Sequence, residues 1–191
     1  MSDETRPESV PAPLIAEALR AMFTAARADA ATGLAPRAPG RPLAWVITVP
    51  DTHQKSLLAL LEHDPDLKVL TVATEDEAHA IAAGFHMAGE PCMLLIQHAG
   101  VFASINTMRG VAIDGRVPTF YLIGLLSRDP AVDPRESKGS MLRYCEPLLD
   151  LFGVPSARLE GLADVECIPE YYRLSLARRG PAAVLVGMAT S

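Results

Sequence analysis

The stretch KVLTVATEDEAHAIAAGFHMAGEPCMLLIQHAGVFASINTMRG, residues 68–110, decides how the chain folds. Lys68–Thr71 runs into Val72 and Ala73 as a short apolar segment that reads as a buried strand. Thr74-Glu75-Asp76-Glu77 then has the order of a helix start, a hydroxyl residue at the cap and acids in the first turn. Taken alone, those acids need do no more than complement the helix dipole. The helix is built almost wholly from small and apolar residues, and Ala78, Ala80, Ala82, Ala83 and Gly84 leave room for another backbone or a flat ligand. Cys92–Ile96 is a second strand, Gln97-His98-Ala99-Gly100 a junction, and a further helix is expected from near Ala103.

Working outward, the same alternation continues. Pro13–Ala28 reads as an amphipathic helix with Leu14, Ile15, Ala18, Leu19, Met22 and Phe23 on one face. Residues 1–12 are polar and proline-interrupted, which predicts a flexible tail ahead of a single domain over 13–191. Gly33–Arg41 is a loop, and Leu43–Val49 a buried strand ending in Pro50-Asp51-Thr52-His53 before the helix that carries Ser56-Leu57-Leu58. Beyond Gly110 come the strand Val117–Ile123 and a polar loop, Gly124–Gly139. Ser140–Phe152 should be a helix bent or broken at Pro147, Gly153–Arg158 a short strand, Leu162–Arg179 a helix interrupted at Pro169, and Ala182–Val186 a last strand. Six strands alternating with helices predict an α/β fold: a doubly wound, mainly parallel six-stranded sheet with helices on both faces.

Composition narrows the function classes. The 191 residues suffice for one substantial core, and no apolar run approaches the roughly 18–20 residues of a membrane span. The net charge of −6 comes with no basic stripe, which argues against a nucleic-acid partner. Cys92, Cys145 and Cys167 are an odd set without ligand-like spacing, so reduced thiols and a cytoplasmic location are expected. His63 reads as a surface helix residue, and His79 and His86, seven apart on one helix, as packing residues rather than metal ligands.

Three features together carry a resemblance. Glu75 is followed by an alanine-rich helix with Gly84 nine positions on; Gln97-His98-Ala99-Gly100 precedes Ser104-Ile105-Asn106; and Val49-Pro50-Asp51-Thr52 closes the first strand. In this order they resemble the pyrimidine-binding domain of thiamine-diphosphate decarboxylases, in particular the sulfopyruvate and phosphonopyruvate decarboxylases, over about residues 40–190. The resemblance implies that Glu75 hydrogen-bonds N1′ of the cofactor's aminopyrimidine, with Thr74, Gln97 and Gly100 also against the cofactor. It places Asp51, Thr52, His53, His98 and Asn106 near a small anionic 2-oxo acid, for carboxylate positioning and proton transfer. An apolar pocket for Glu75 is implied, since burial favours a shared proton. His98 and Ala99 stand where those relatives carry Asn and Ser, and Phe102 where they carry Gly, so hydrogen bonding in that segment must differ.

The family also needs a Gly-Asp-Gly motif with a later Asn-Asn pair to hold Mg²⁺ and the diphosphate, and this sequence has neither. The resemblance therefore implies a separate diphosphate-binding (beta) subunit that holds Mg²⁺, a hetero-oligomer with self-association, and inactivity of this chain alone. No metal is assigned to it. Lys55, Arg109, Arg128 and Lys138 are the cations available for a sulfonate or phosphonate tail. The expected activity is decarboxylation of sulfopyruvate to sulfoacetaldehyde and CO₂, with phosphonopyruvate or another 2-oxo acid as alternative. A non-catalytic module that completes or regulates an assembly is the rival of another class, and an unrelated flavodoxin-like binding domain a third reading, since fold alone does not fix function.

Overall fold

In a computed structural model, which describes residues 9–191, six strands form one sheet in the order β2-β1-β3-β4-β6-β5. They are β1 (Ala44–Thr48), β2 (Leu67–Thr71), β3 (Cys92–Gln97), β4 (Thr119–Gly124), β5 (Ser156–Leu159) and β6 (Pro181–Val186). Every pairing is parallel, so the sheet is wholly and not just mainly parallel. Helices α1 (Ala12–Ala28), α2 (Lys55–Leu61) and α7 (Cys167–Arg178) cover one face. The other carries α3 (Glu75–Met87), α4 (His98–Ala103), α5 (Ile105–Thr107), a π-helical segment Met108–Asp114 and α6 (Ser140–Leu151).

Two cores follow from the period of two along each strand. Val46, Met93, Leu95, Phe120, Leu122 and Val184 face α1 and α7, where Phe23 and Phe120 meet Tyr172 edge-on. Ile47, Leu94, Ile96, Tyr121, Ile123 and Leu185 face α3, α4 and α6. The N-terminal helix thus covers a sheet face through Ile15, Leu19 and Phe23. Strands buried on both faces need nearly unbroken apolar runs, and β3, β4 and β6 supply them.

Several sequence expectations need correction. Residues 1–8 of the predicted tail lie outside the described residues, and 9–12 are not tail-like. Val10 is fully buried and bridges to Thr190, and Ala12 already opens α1. The helix after β3 begins at His98, directly on the strand end, not near Ala103. Pro147 sits inside a continuous α6, because its fixed φ of about −65° is helical and it forgoes a single donor. Pro169 falls in the first turn of α7, where its missing N–H has no partner to lose, so it starts that helix and does not interrupt it. No atom comes within 4 Å of a Cβ built at Gly84, so the close approach expected there is not made by the described residues.

The long loop between β4 and α6 is pinned by charge. Glu146, buried on α6, accepts from Arg135 Nε at 2.8 Å and Arg158 Nη2 at 2.7 Å, and Arg158 also reaches Asp133 at 2.8 Å. Burial alone would raise the Glu146 pKa, but the bonds from Arg158 and Arg135 outweigh it and hold it below the usual carboxylate value. Arg128 donates to Glu160 at 2.7 Å and to the carbonyls of Asp129 and Val132.

Candidate active site

The chain runs from β1 outward to β2 and then returns to the other side of β1 as β3, so the sheet order reverses between β1 and β3. Open α/β sheets take ligands in the crevice at the carboxyl ends of such strands. The segment 51–54 after β1 and the segment 97–100 after β3 meet there.

Asp51 is the centre of the first cluster and is 2% exposed. Its Oδ1 accepts from the His53 backbone N–H and from Gln97 Nε2, both at 2.9 Å, and its Oδ2 accepts from Gln54 Nε2 at 3.0 Å. Gln54 is fully buried, and its amide also lies 3.4 Å from the Ile96 carbonyl and 3.3 Å from that of Leu122, spanning the ends of β3 and β4. Its Oε1 is buried with no partner among the described residues. At the end of β4, a Cβ on Gly124 would meet Asp51 Cγ at 3.0 Å and Gln54 Nε2 at 3.2 Å, with Asp51 Oδ2 nearer still. Glycine at 124 is what lets the carboxylate lie flat against the strand end.

Two histidines flank Asp51. His53 donates from Nε2 to the Val186 carbonyl at 3.0 Å, and its own carbonyl accepts from the Thr190 N–H at 3.2 Å. His98, 5% exposed at the start of α4, accepts at Nδ1 from the Ala99 N–H at 3.0 Å. Burial lowers both pKa values below 6.5; Asp51 pulls each back up, and His53 adds to the lowering at His98. Both rings are therefore neutral at pH 7.

Glu75 opens α3 one segment away. A Cβ on Gly100 would meet its Cγ and Cδ at 2.6 Å, with Oε1 closer, so the carboxylate rests directly on the α4 backbone. The side chain is half-buried, less enclosed than the apolar pocket expected for it, and no donor among the described residues meets it. An open, half-buried carboxylate over a glycine fits a flat heterocycle that brings an N–H of its own. Residues 97–100 join the two parts, since Gln97 holds Asp51 and Gly100 backs Glu75.

The other expected site residues divide. Thr52 lies in the same loop with its side chain exposed. Thr74 caps α3, accepting from the Glu77 N–H at 3.2 Å, while Glu77 accepts from the Ala73 N–H at 2.9 Å in return; Glu77 is thus a cap and not just a solvated acid. Asn106 is exposed and accepts from Arg109 at 3.1 Å, outside the Asp51 cluster. Arg109 pairs with Asp114 and Arg128 with Glu160, which leaves Lys55 and Lys138, of the four available for a substrate tail, without an ion pair among the described residues. His79 packs as expected, donating from Nδ1 to the Glu75 carbonyl at 2.7 Å and meeting Tyr121 Oη at 2.9 Å; His63 is an exposed helix residue. Burial pushes the Cys92, Cys145 and Cys167 thiols up to about 12, and all three are unpaired. Gln54 and Gly124 were not legible as site residues.

The fold and the paired segments define a class, a doubly wound, all-parallel domain with its candidate site between the ends of β1 and β3. Known proteins share sequence and fold with it. The chain is 31% identical over 116 residues to the sulfopyruvate decarboxylase subunit alpha of Methanocaldococcus jannaschii, covering 59% of this chain and 65% of that one. It is 25% identical over 143 residues to the subunit of the same name from Methanothermobacter thermautotrophicus, covering 74% and 86%. Among solved structures, benzoylformate decarboxylase from Polynucleobacter necessarius has the same fold, with a TM-score of 0.51 at 15% identity over 89% of this chain and 33% of that one. No family model matches the sequence. Among the described residues, no helix is long and apolar enough to cross a membrane.

Proposed function

We propose that the chain is the alpha, pyrimidine-binding subunit of a two-subunit 2-oxo-acid decarboxylase, converting sulfopyruvate to sulfoacetaldehyde and CO₂. The observation that carries this is the Glu75 carboxylate, lodged on Gly100 without a donor among the described residues and one segment from the buried Asp51 cluster. When bound, thiamine diphosphate supplies a nucleophilic carbon and then an electron sink. In this reading Glu75 holds N1′ of its pyrimidine, and Gly100 keeps the approach flat. Gln97 ties that segment to Asp51, whose carboxylate with His53 and His98 faces the reacting acid. Thr52 lies at the rim, and Lys55 and Lys138 are the cations left to meet a sulfonate. Thr74 serves the cofactor only through the α3 cap, and Asn106 joins the site only if α5 shifts.

Mg²⁺ and the diphosphate fall to a separate beta subunit, in keeping with the relatives' designation as subunit alpha. The assembly is a cytoplasmic hetero-oligomer, which suits three unpaired thiols. Phosphonopyruvate is the alternative substrate, since it differs only in the anionic tail.

The test is aldehyde release from sulfopyruvate by the chain co-expressed with its diphosphate-binding partner, with Glu75→Gln in parallel. Turnover that needs both chains and drops at least about 100-fold in the variant supports the reading. Turnover indifferent to Glu75 would leave a scaffold role for this chain, and full activity without a partner would remove the two-subunit assignment.

A further inference from the structure

His53 and His98 differ in which ring nitrogen the fold has already used. A backbone carbonyl can only accept, so the bond from His53 Nε2 to Val186 fixes the proton on Nε2 and leaves Nδ1 as a lone pair. A backbone N–H can only donate, so the bond from Ala99 fixes the lone pair of His98 on Nδ1 and leaves Nε2 carrying the proton. Val186 is the one well-formed hydrogen-bond partner of the His53 ring among the described residues, with the Gly187 and Met188 backbone beside it, and His98 Nε2 has none. The two rings therefore offer one open acceptor and one open donor, and each lies near enough to Asp51 to feel its charge.

We infer that the two histidines have opposite, fixed parts: His98 offers a standing N–H donor at Nε2 to an oxygen of the bound 2-oxo acid, and His53 offers at Nδ1 the lone pair that can take up a proton. This rests on the decarboxylase reading for its ligand, while the protonation pattern rests on backbone hydrogen bonds alone. His98 cannot exchange parts with His53 without breaking the Ala99 bond, because protonated Nδ1 would face an N–H. Its donor is thus uncharged and holds an oxygen without giving up its proton. His53 can gain a proton and keep its bond to Val186, and Asp51 would stabilise the resulting cation. The charged or titratable groups acting on the pair are Asp51, from the loop after β1, on both, and His53 on His98; the backbone of Val186, Gly187 and Met188 adds to the support of a His53 cation. A neutral histidine donor paired with a separate proton acceptor is a known division of labour in proton-transfer sites.

The first readout is nitrogen NMR of the ¹⁵N-histidine-labelled chain in complex with its partner subunit. Both rings are expected in the Nε2–H form, with His53 Nδ1 protonating first as pH falls. The second is calorimetric binding of sulfolactate, the hydroxy-acid counterpart of sulfopyruvate that cannot lose CO₂. His98→Gln, whose amide can place an N–H near the Nε2 position, should bind within about threefold of wild type, and His98→Ala about tenfold more weakly, the worth of one charge-assisted hydrogen bond. His53→Asn keeps an acceptor that cannot be protonated, and should bind normally at pH 8 while losing any gain in affinity at lower pH. A proton on His98 Nδ1, or His98→Gln binding as poorly as His98→Ala, overturns the inference. If the wild-type complex neither binds sulfolactate nor releases aldehyde from sulfopyruvate, the decarboxylase reading falls and takes the ligand half with it; the nitrogen spectrum then still decides the protonation half.

Discussion

Gly124→Ala should damage this protein far more than a glycine-to-alanine change in a strand ordinarily does. Gly124 has no positive φ, so backbone strain is not the reason, and alanine in a strand would otherwise be mildly favourable. The added Cβ instead lands within 3.0 Å of Asp51 Cγ and closer to Oδ2, so the carboxylate must move by about 1 Å or more. Moving it disturbs three hydrogen bonds, from His53 N, Gln54 Nε2 and Gln97 Nε2. Bonds to a charged group contribute about 1.5–3 kcal/mol each, and part of that is recovered as Asp51 re-settles, so the net loss should be about 2–4 kcal/mol. Urea unfolding followed by the fluorescence of Trp45, the only tryptophan, would show this as a midpoint lowered by about 1 M or more, for a slope near 2 kcal/mol/M. Asp51→Ala removes the obstruction. In that background Gly124→Ala should cost less than about 1 kcal/mol, a coupling of about 2 kcal/mol between the sites. Costs that simply add, within about 0.5 kcal/mol, would refute the claim that glycine is there to seat the carboxylate.

Gly100→Ala should act on Glu75 as Gly124→Ala acts on Asp51, but with another signature. The crowded group is half-buried and holds no partner among the described residues, so stability should fall by less than about 1 kcal/mol while thiamine diphosphate affinity of the complex falls at least about tenfold; unchanged affinity in equilibrium dialysis would contradict it. At low pH the Glu146 network should fail. Its folded pKa is depressed below 4.5 despite burial, so its contribution is present above that value and is lost as pH falls through the lower folded one; Glu146→Gln should flatten this limb of a stability–pH curve, and an unchanged limb would discount the network.

What the sequence made legible and what it hid have a common cause. Glu75 and Asp51 were readable because each follows a recognisable strand in a recognisable order, and ends of parallel strands converge. Gln54 was not, because a glutamine entering a helix looks like any polar surface residue. Its importance arises only when β3 and β4 bring the Ile96 and Leu122 carbonyls beside it, and periodicity says nothing about which strands are neighbours. Gly124 was hidden for the same reason, its neighbour being more than 70 residues away in the chain. Asn106 came from the resemblance of Ser104-Ile105-Asn106 to a family segment, which carries no side-chain direction, and here its side chain meets Arg109. Val10 was read as tail because a lone valine among polar residues carries no pattern, yet it finds a strand edge at Thr190.

That edge has a consequence in time as well as space. The loop carrying Asp51 and His53 follows β1, the first of the six strands in chain order, but its fastenings, the carbonyl of Val186 and the backbone N–H of Thr190, are made only with and after β6, the last of the six. Val10 waits for the same segment, through Ala189 and Ser191. During synthesis the sheet can grow outward from β1 while the loop after it stays unlatched, so a chain halted before β6 would carry most of the scaffold and lack the finished Asp51–His53 cluster. Folding of the core and completion of the site are thus separate events, the second waiting for the segment from β6 to Ser191.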